Sequence, residues 1–161
     1  ENGILDMGLL LEPVEISRYH YVRMPLEEKW RVLMRKDSVL AKKDRITPKD
    51  LAGYPLIIAK RLSVRNELEN WFGQAAEDLC IACTCNLSHS NQMDMVENGV
   101  GAALTMDFSC SHDMLCLRPF EPELTSGCVL VWKKDMKLSL VMTRFVAHVK
   151  EYLEKFCPTI K

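Results

Sequence analysis

Short apolar runs alternate along this chain with stretches whose apolar residues recur every three or four positions. Ile4 to Leu11 is mostly aliphatic, too short for a typical helix, and stopped by Glu12-Pro13, so it reads as a buried strand. Tyr19 to Leu26 and Trp30 to Met34 read as two further strands, and Arg35 to Arg45 as a charged connector. Thr47-Pro48-Lys49-Asp50 has the form of a helix start, with Thr47 as N-cap, Pro48 at the first helical position and Gly53 closing one or two turns. Leu56 to Ala59 is the next strand. Ser63 then begins a helix in which Val64, Leu68, Trp71, Phe72 and Ala75 form one apolar face.

Ile81 to Cys85, Asn91 to Asn98 and Ala102 to Met106 continue the alternation as strand, helix and strand. Gly99-Val100-Gly101 joins the last two with almost no loop, because a glycine C-cap in the left-handed region leads straight into an apolar run. Such alternation predicts a mostly parallel sheet covered by helices. Leu115 to Phe120 and Cys128 to Trp132 are the remaining strands. Leu138, Val141, Met142, Phe145, Val149, Tyr152, Leu153 and Phe156 line one face of a terminal helix that ends before Pro158.

The 161 residues suit one domain or two small lobes, and 48% apolar with 27% charged residues is ordinary for a globular chain. A net charge of −1 lacks the cationic excess needed to displace counterions from DNA. No apolar run approaches the roughly 20 residues of a membrane span, and no signal peptide is visible. Seven cysteines cannot all pair within one chain, which points to reduced thiols and a cytoplasmic setting.

Cys80-Ile81-Ala82-Cys83-Thr84-Cys85 suggests a metal, but it lacks paired C-x2-C spacing; on a strand, Cys83 and Cys85 face one side as small apolar residues. The four histidines are scattered and no serine or cysteine has a nucleophile-elbow context, so the expectation is no metal, no cofactor and no catalysis. Ser63 as an N-cap has two readings. It satisfies an orphan backbone N–H, and the same helix end can hold a carboxylate.

Four elements in order, Gly3-Ile4-Leu5-Asp6-Met7-Gly8, Asp50 to Ile58, Val96 to Gly101 and the Leu138-Ser139-Leu140 helix, resemble the effector-binding domain of LysR-type transcriptional regulators. The resemblance implies an α/β, two-lobed, type 2 periplasmic-binding-protein-like fold, N-terminally truncated with the first lobe incomplete. Lobe one would hold 1–34 and 129–161, and lobe two 35–128. A small-molecule effector would lie in the interlobe cleft, lined by Leu11 and Glu12, by Lys60, Arg61, Leu62 and Ser63, by Ser88 and Ser90 near the next helix start, and by Met106 beyond its strand. Lys60 and Arg61 favour an anionic effector.

By the same resemblance the chain is a sensing and oligomerisation module, a homo-oligomer that reaches DNA only through a missing N-terminal helix-turn-helix domain. Two rivals share the scaffold: a solute-binding subunit of a transporter, distinguished by a signal peptide in place of the helix-turn-helix, and an enzyme, distinguished by substrate turnover.

Overall fold

A computed structural model describes residues 5–86, 89–107 and 112–157, which divide into two compact units. Unit 2 is the contiguous stretch Glu28–Thr125; unit 1 combines Glu1–Glu27 with Ser126–Lys161. Two long strands, β2 (Tyr19–Arg35) and β7 (Thr125–Lys133), contribute residues to both. β2 is one continuous strand of 17 residues where the sequence suggested two. The polar stretch Glu27-Glu28-Lys29 marks exposure rather than a turn: the Lys29 carbonyl accepts from Asp107 N at 2.7 Å, so the backbone is held extended through it.

In unit 2, β3 (Pro55–Ala59) pairs in parallel with both β4 (Cys80–Cys85) and β5 (Ala102–Met106). The second half of β2 pairs antiparallel with β5 and with β6 (Leu115–Pro119). The sheet is therefore mixed, with the predicted parallel alternation confined to its β5-β3-β4 side. Helix α1 (Leu62–Phe72) buries Val64, Leu68 and Phe72, and its Trp71 stacks on Phe120, which in turn meets Trp30 of β2. Helix α2 (His89–Glu97) packs on the opposite side: its Val96 joins Leu33, Ile57, Ala103 and Leu115 in one fully enclosed cluster. Helices on both faces explain why β5 is buried along its whole length.

The α2-to-β5 junction has the geometry that Gly99 and Gly101 permit. Gly99 has φ of 78°, and the bonds Gly99 N to Val96 O and Val100 N to Met95 O, both 3.0 Å, form a Schellman turn. At Gly101 a Cβ would run into the carbonyl oxygen of Pro55 and lie 2.8 Å from its carbon. β3 and β5 can approach at this point only because residue 101 has no side chain.

Thr47 and Asp50 form the predicted helix start, now a single 3-10 turn over Pro48–Leu51. The Asp50 carboxylate accepts from Thr47 N at 2.9 Å and from Thr47 Oγ1 at 2.8 Å, and pairs with Lys43 at 2.8 Å. Burial pushes the Asp50 carboxyl up, but the bonds from Lys43 and Thr47 together outweigh it and hold it below the usual aspartate value.

In unit 1, β1 (Gly8–Leu11) pairs antiparallel with β7, from Gly8 opposite Val131 to Leu11 opposite Cys128. It is shorter than the predicted Ile4 to Leu11, of which Ile4 lies outside the described residues. Helix α3 (Leu140–Phe156) starts where Ser139 Oγ accepts from Met142 N at 3.2 Å. Its predicted apolar face is not a buried one. Only Val146 is buried, while Val141 is 77% and Phe156 59% exposed. Three-and-four spacing specifies which side of a helix is apolar; it does not supply the element that covers it.

Gly101→Ala is expected to destabilise the protein by about 1–3 kcal/mol, as overpacking against backbone does, measured by urea unfolding. Because the Asp50 carboxyl is held low when folded, its contribution is present above the ordinary value near 3.8 and lost as pH falls through the folded value. Asp50→Asn should therefore lower the melting temperature at pH 7 and flatten its fall toward pH 3.

Candidate functional site

The strand ends of unit 2 hold one group of the predicted residues. β3 and β4 run parallel, so the chain leaves both at one edge of the sheet, and Lys60 N still bonds to Cys85 O at 2.7 Å there. Lys60, Arg61 and Leu62 are exposed and Ser63 is half-buried. Ser63 is not the N-cap. Arg61 takes that position with extended φ/ψ of −66° and 123°, and Leu62 is the first helical residue, placing Ser63 within the first turn. The strand bonding ends at Lys60 and the helix starts directly after it, leaving no room for a later cap. Ser90, expected just before its helix, lies inside α2 and is exposed, and Ser88 falls outside the described residues.

Met106 is the last residue of β5 rather than a residue beyond it. It pairs with Trp30 and is buried, so it belongs to the core of unit 2 and is not available to a ligand. An apolar residue ending an apolar run is more economically placed in the strand than past it.

In unit 1, Leu11 and Glu12 are half-buried at the end of β1. Glu12 N donates to Gly127 O at 2.9 Å, and its carboxylate accepts from Arg23 Nη2 at 3.1 Å. A Cβ at Gly127 would collide with the Glu12 carboxylate, so this glycine gives the acid its place. Glu12, Arg23, Met24, Leu26, Gly127 and Cys128 border an open hollow of about 510 Å³. Glu12 is thus committed to an ion pair on the hollow's wall.

Cys83 and Cys85 point to one side of β4, as alternation predicts, and pack against the Leu33-Ile57-Val96 cluster. Burial, with Cys85 beside it, raises the Cys83 thiol above its ordinary value, which disfavours the thiolate needed for metal ligation or redox attack. No group of three or more His, Cys, Asp or Glu able to hold a metal exists among the described residues.

Three polar residues escaped the sequence reading. Gln92 in α2 and Thr105 in β5 are fully buried, and Arg31, register partner of Thr105, pairs with Asp107 at 2.8 Å. Apolar runs on either side conceal Arg31 and Thr105. Gln92 could have been noticed as an amide one turn before Val96, on the buried side of α2.

Alkylation of native protein with iodoacetamide should modify exposed Cys80 before Cys83 or Cys85, read by peptide mass spectrometry. Chelation should leave the melting temperature unchanged; one zinc per chain would contradict the packing role of these cysteines.

The sequence model of one family, the LysR substrate binding domain, matches residues 1–154. The HTH-type transcriptional regulator YvbU of Bacillus subtilis (strain 168), itself uncharacterized, is 28% identical over 153 residues, covering 92% of this chain and 50% of that protein. The chain therefore spans about half the length of this curated relative. The effector binding domain of QuiR, solved in complex with shikimate, superposes with a TM-score of 0.78 at 17% identity, over 94% of this chain and 73% of that one. The C-terminal domain of a probable LysR family transcriptional regulator from Rhodococcus sp. RHA1 gives 0.73 at 19% identity, over 91% and 74%. The regulatory domain of CcmR from Synechocystis PCC6803, in complex with 2-PG, gives 0.72 at 17%, over 94% and 74%. These likenesses agree with the fold built up above, a mixed sheet flanked by helices, and the family match spans nearly all of the chain: it belongs to the LysR substrate-binding domain family.

Proposed function

We propose that this chain is the effector-sensing part of a bacterial LysR-type transcription factor, without catalytic activity, acting in the cytoplasm. The observation that carries the reading is the family match across residues 1–154. The edge of the unit 2 sheet, where Lys60, Arg61 and Ser63 follow β3 and Ser90 follows β4, supports it, because open α/β sheets take ligands at the carboxyl ends of their strands. No helix among the described residues is long and apolar enough to cross a membrane.

The effector is a small anionic molecule. Lys60 and Arg61 stand exposed beside the N-terminus of α1, whose partial positive charge adds to theirs. Related domains have been solved with shikimate and with 2-PG. On unit 1, the Leu11 and Glu12 end of β1 is the proposed contact. The two lobes of this reading correspond to the compact units, whose boundaries at Glu27/Glu28 and Thr125/Ser126 replace the 1–34 with 129–161 and 35–128 suggested by the sequence. Regulation is by differential affinity of the effector for two arrangements of a homo-oligomer, transmitted to a separate DNA-binding domain.

A thermal-shift screen of small organic acids, beginning with shikimate, tests the reading, since a ligand of the folded state must raise its apparent stability. A carboxylate is expected to raise the melting temperature with a saturating dose dependence. Lys60→Ala with Arg61→Ala should weaken that response at least tenfold while leaving unliganded stability within about 0.5 kcal/mol, as for exposed substitutions. Stabilisation only by uncharged compounds would contradict an anionic effector.

A further inference from the structure

One hollow of unit 1 joins aromatic walls to positive charge. It has a volume of about 470 Å³, within the range of small-molecule sites, and is bordered by the turn before β2, the first residues of β2, the end of β7 and the middle of α3. Tyr19, His20, Tyr21 and Trp132 supply the rings. Trp132 is buried, and its indole lies 5.9 Å, centroid to centroid, from the His20 imidazole. The wall formed by the turn is built before any ligand arrives. Tyr19 N donates to Ile16 O at 2.9 Å, Lys134 N to Arg18 O at 3.2 Å and Lys134 Nζ to Ser17 O at 2.7 Å, which pins the turn to the end of β7. A wall held in this way needs little ordering on binding.

The charge is one-sided. Lys134 and Lys150 border the hollow, and no Asp or Glu does among the described residues. Lys134 uses one of its three donors on Ser17 O. Lys150 is exposed one helical turn after Val146, the buried residue of α3, so it lies on the side of the helix that faces the sheet, and it has no ion pair or hydrogen bond among the described residues. Glu15, the acid nearest the turn in sequence, accepts from Ser17 N at 2.7 Å.

Ammonium groups with spare donors beside aromatic rings restrict what can bind. A cation is repelled by both lysines. A neutral arene covers the rings but leaves the ammonium groups without a counter-charge, and an aliphatic carboxylate does the reverse. A flat ring bearing a carboxylate satisfies both, through ring-to-ring contact and a charge-assisted hydrogen bond.

We propose that this hollow binds a small aromatic carboxylate, with Lys150 receiving the carboxylate and Trp132 and Tyr21 contacting the ring. It goes beyond the effector-sensing reading: every bordering residue belongs to unit 1, whereas Lys60 and Arg61 belong to unit 2, so this is a second anion site.

The test follows the three indole N–H signals in two-dimensional NMR of the protein, with that of Trp132 assigned by Trp132→Phe and benzoate as the probe. Cyclohexanecarboxylate, which is anionic without being aromatic, and benzamide, which is aromatic without charge, are the controls. Millimolar benzoate is expected to shift the Trp132 signal saturably, and each control to need at least about tenfold more, since each forgoes one of the two interactions. Lys150→Gln, at an exposed position, should keep the melting temperature and weaken the benzoate response by about tenfold or more, as loss of a charge-assisted bond does. Lys60→Ala with Arg61→Ala should leave the response intact. A Trp132 signal that benzoate does not move, that either control moves equally, or that Lys150→Gln leaves as responsive as before would overturn the proposal. Loss of the shift in the Lys60 and Arg61 variant would also overturn it, by tracing the signal to the unit 2 site, whereas failure of the organic-acid screen at that site with the Trp132 response preserved would count against the unit 2 reading alone.

Discussion

The contact between Gly101 and the backbone of Pro55 is the constraint on which unit 2 depends. Parallel pairing of β3 with β5 brings the start of β5 against the start of β3, and a side chain there would push into the Pro55 carbonyl. The Schellman turn two residues earlier ends α2 abruptly enough for the chain to enter β5 at once. Helix end, strand start and strand pairing are thereby fixed within three residues. The same register sets Thr105 opposite Arg31 and, on the other edge, Ala103 beside Ile57. The polar end of the sheet follows from this backbone contact.

Polar residues of each unit divide by what they are bonded to. Glu12 of unit 1 pairs with Arg23, and Arg31 of unit 2 with Asp107, so neither stands as an isolated charge. Cys83 and Cys85 of β4 are packing groups, and burial raises the Cys83 thiol above its ordinary value. Lys60 and Arg61 at the start of α1 stand exposed instead.

Much of the fold was legible in the sequence because its signals are local. Gly99 and Gly101 around one valine, Thr47 with Asp50, and Val64, Leu68 and Phe72 each announce a structure that the chain adopts. Continuity was less legible: β2 passes through polar residues that look like a break, since its hydrogen bonds come from distant neighbours. The apolar face of α3 was legible, but its exposure was not, because spacing says nothing of what covers a face. Among site residues, Lys60 and Arg61 are where a loop pattern places them, whereas Ser63 shows how two residues of boundary error change a role, and Met106, the correctly placed end of its strand, is buried. Gln92 and Thr105 were invisible because no sequence pattern announces a missing hydrogen-bond partner.

Unit 2 is a single uninterrupted stretch, and unit 1 is assembled from the two ends of the chain. Leu11 has its strand partner at Cys128, more than a hundred residues later, whereas β3, β4 and β5 find one another within Pro55–Met106. On a ribosome, residues 28–125 can complete their sheet while the opening segment still waits for β7. That wait imposes an order of assembly, with the contiguous unit first and the discontinuous one second, because contacts between remote segments carry the larger entropy of closure. β1 thus stays without its strand partner until β7 has been made, so unit 1 is completed after unit 2.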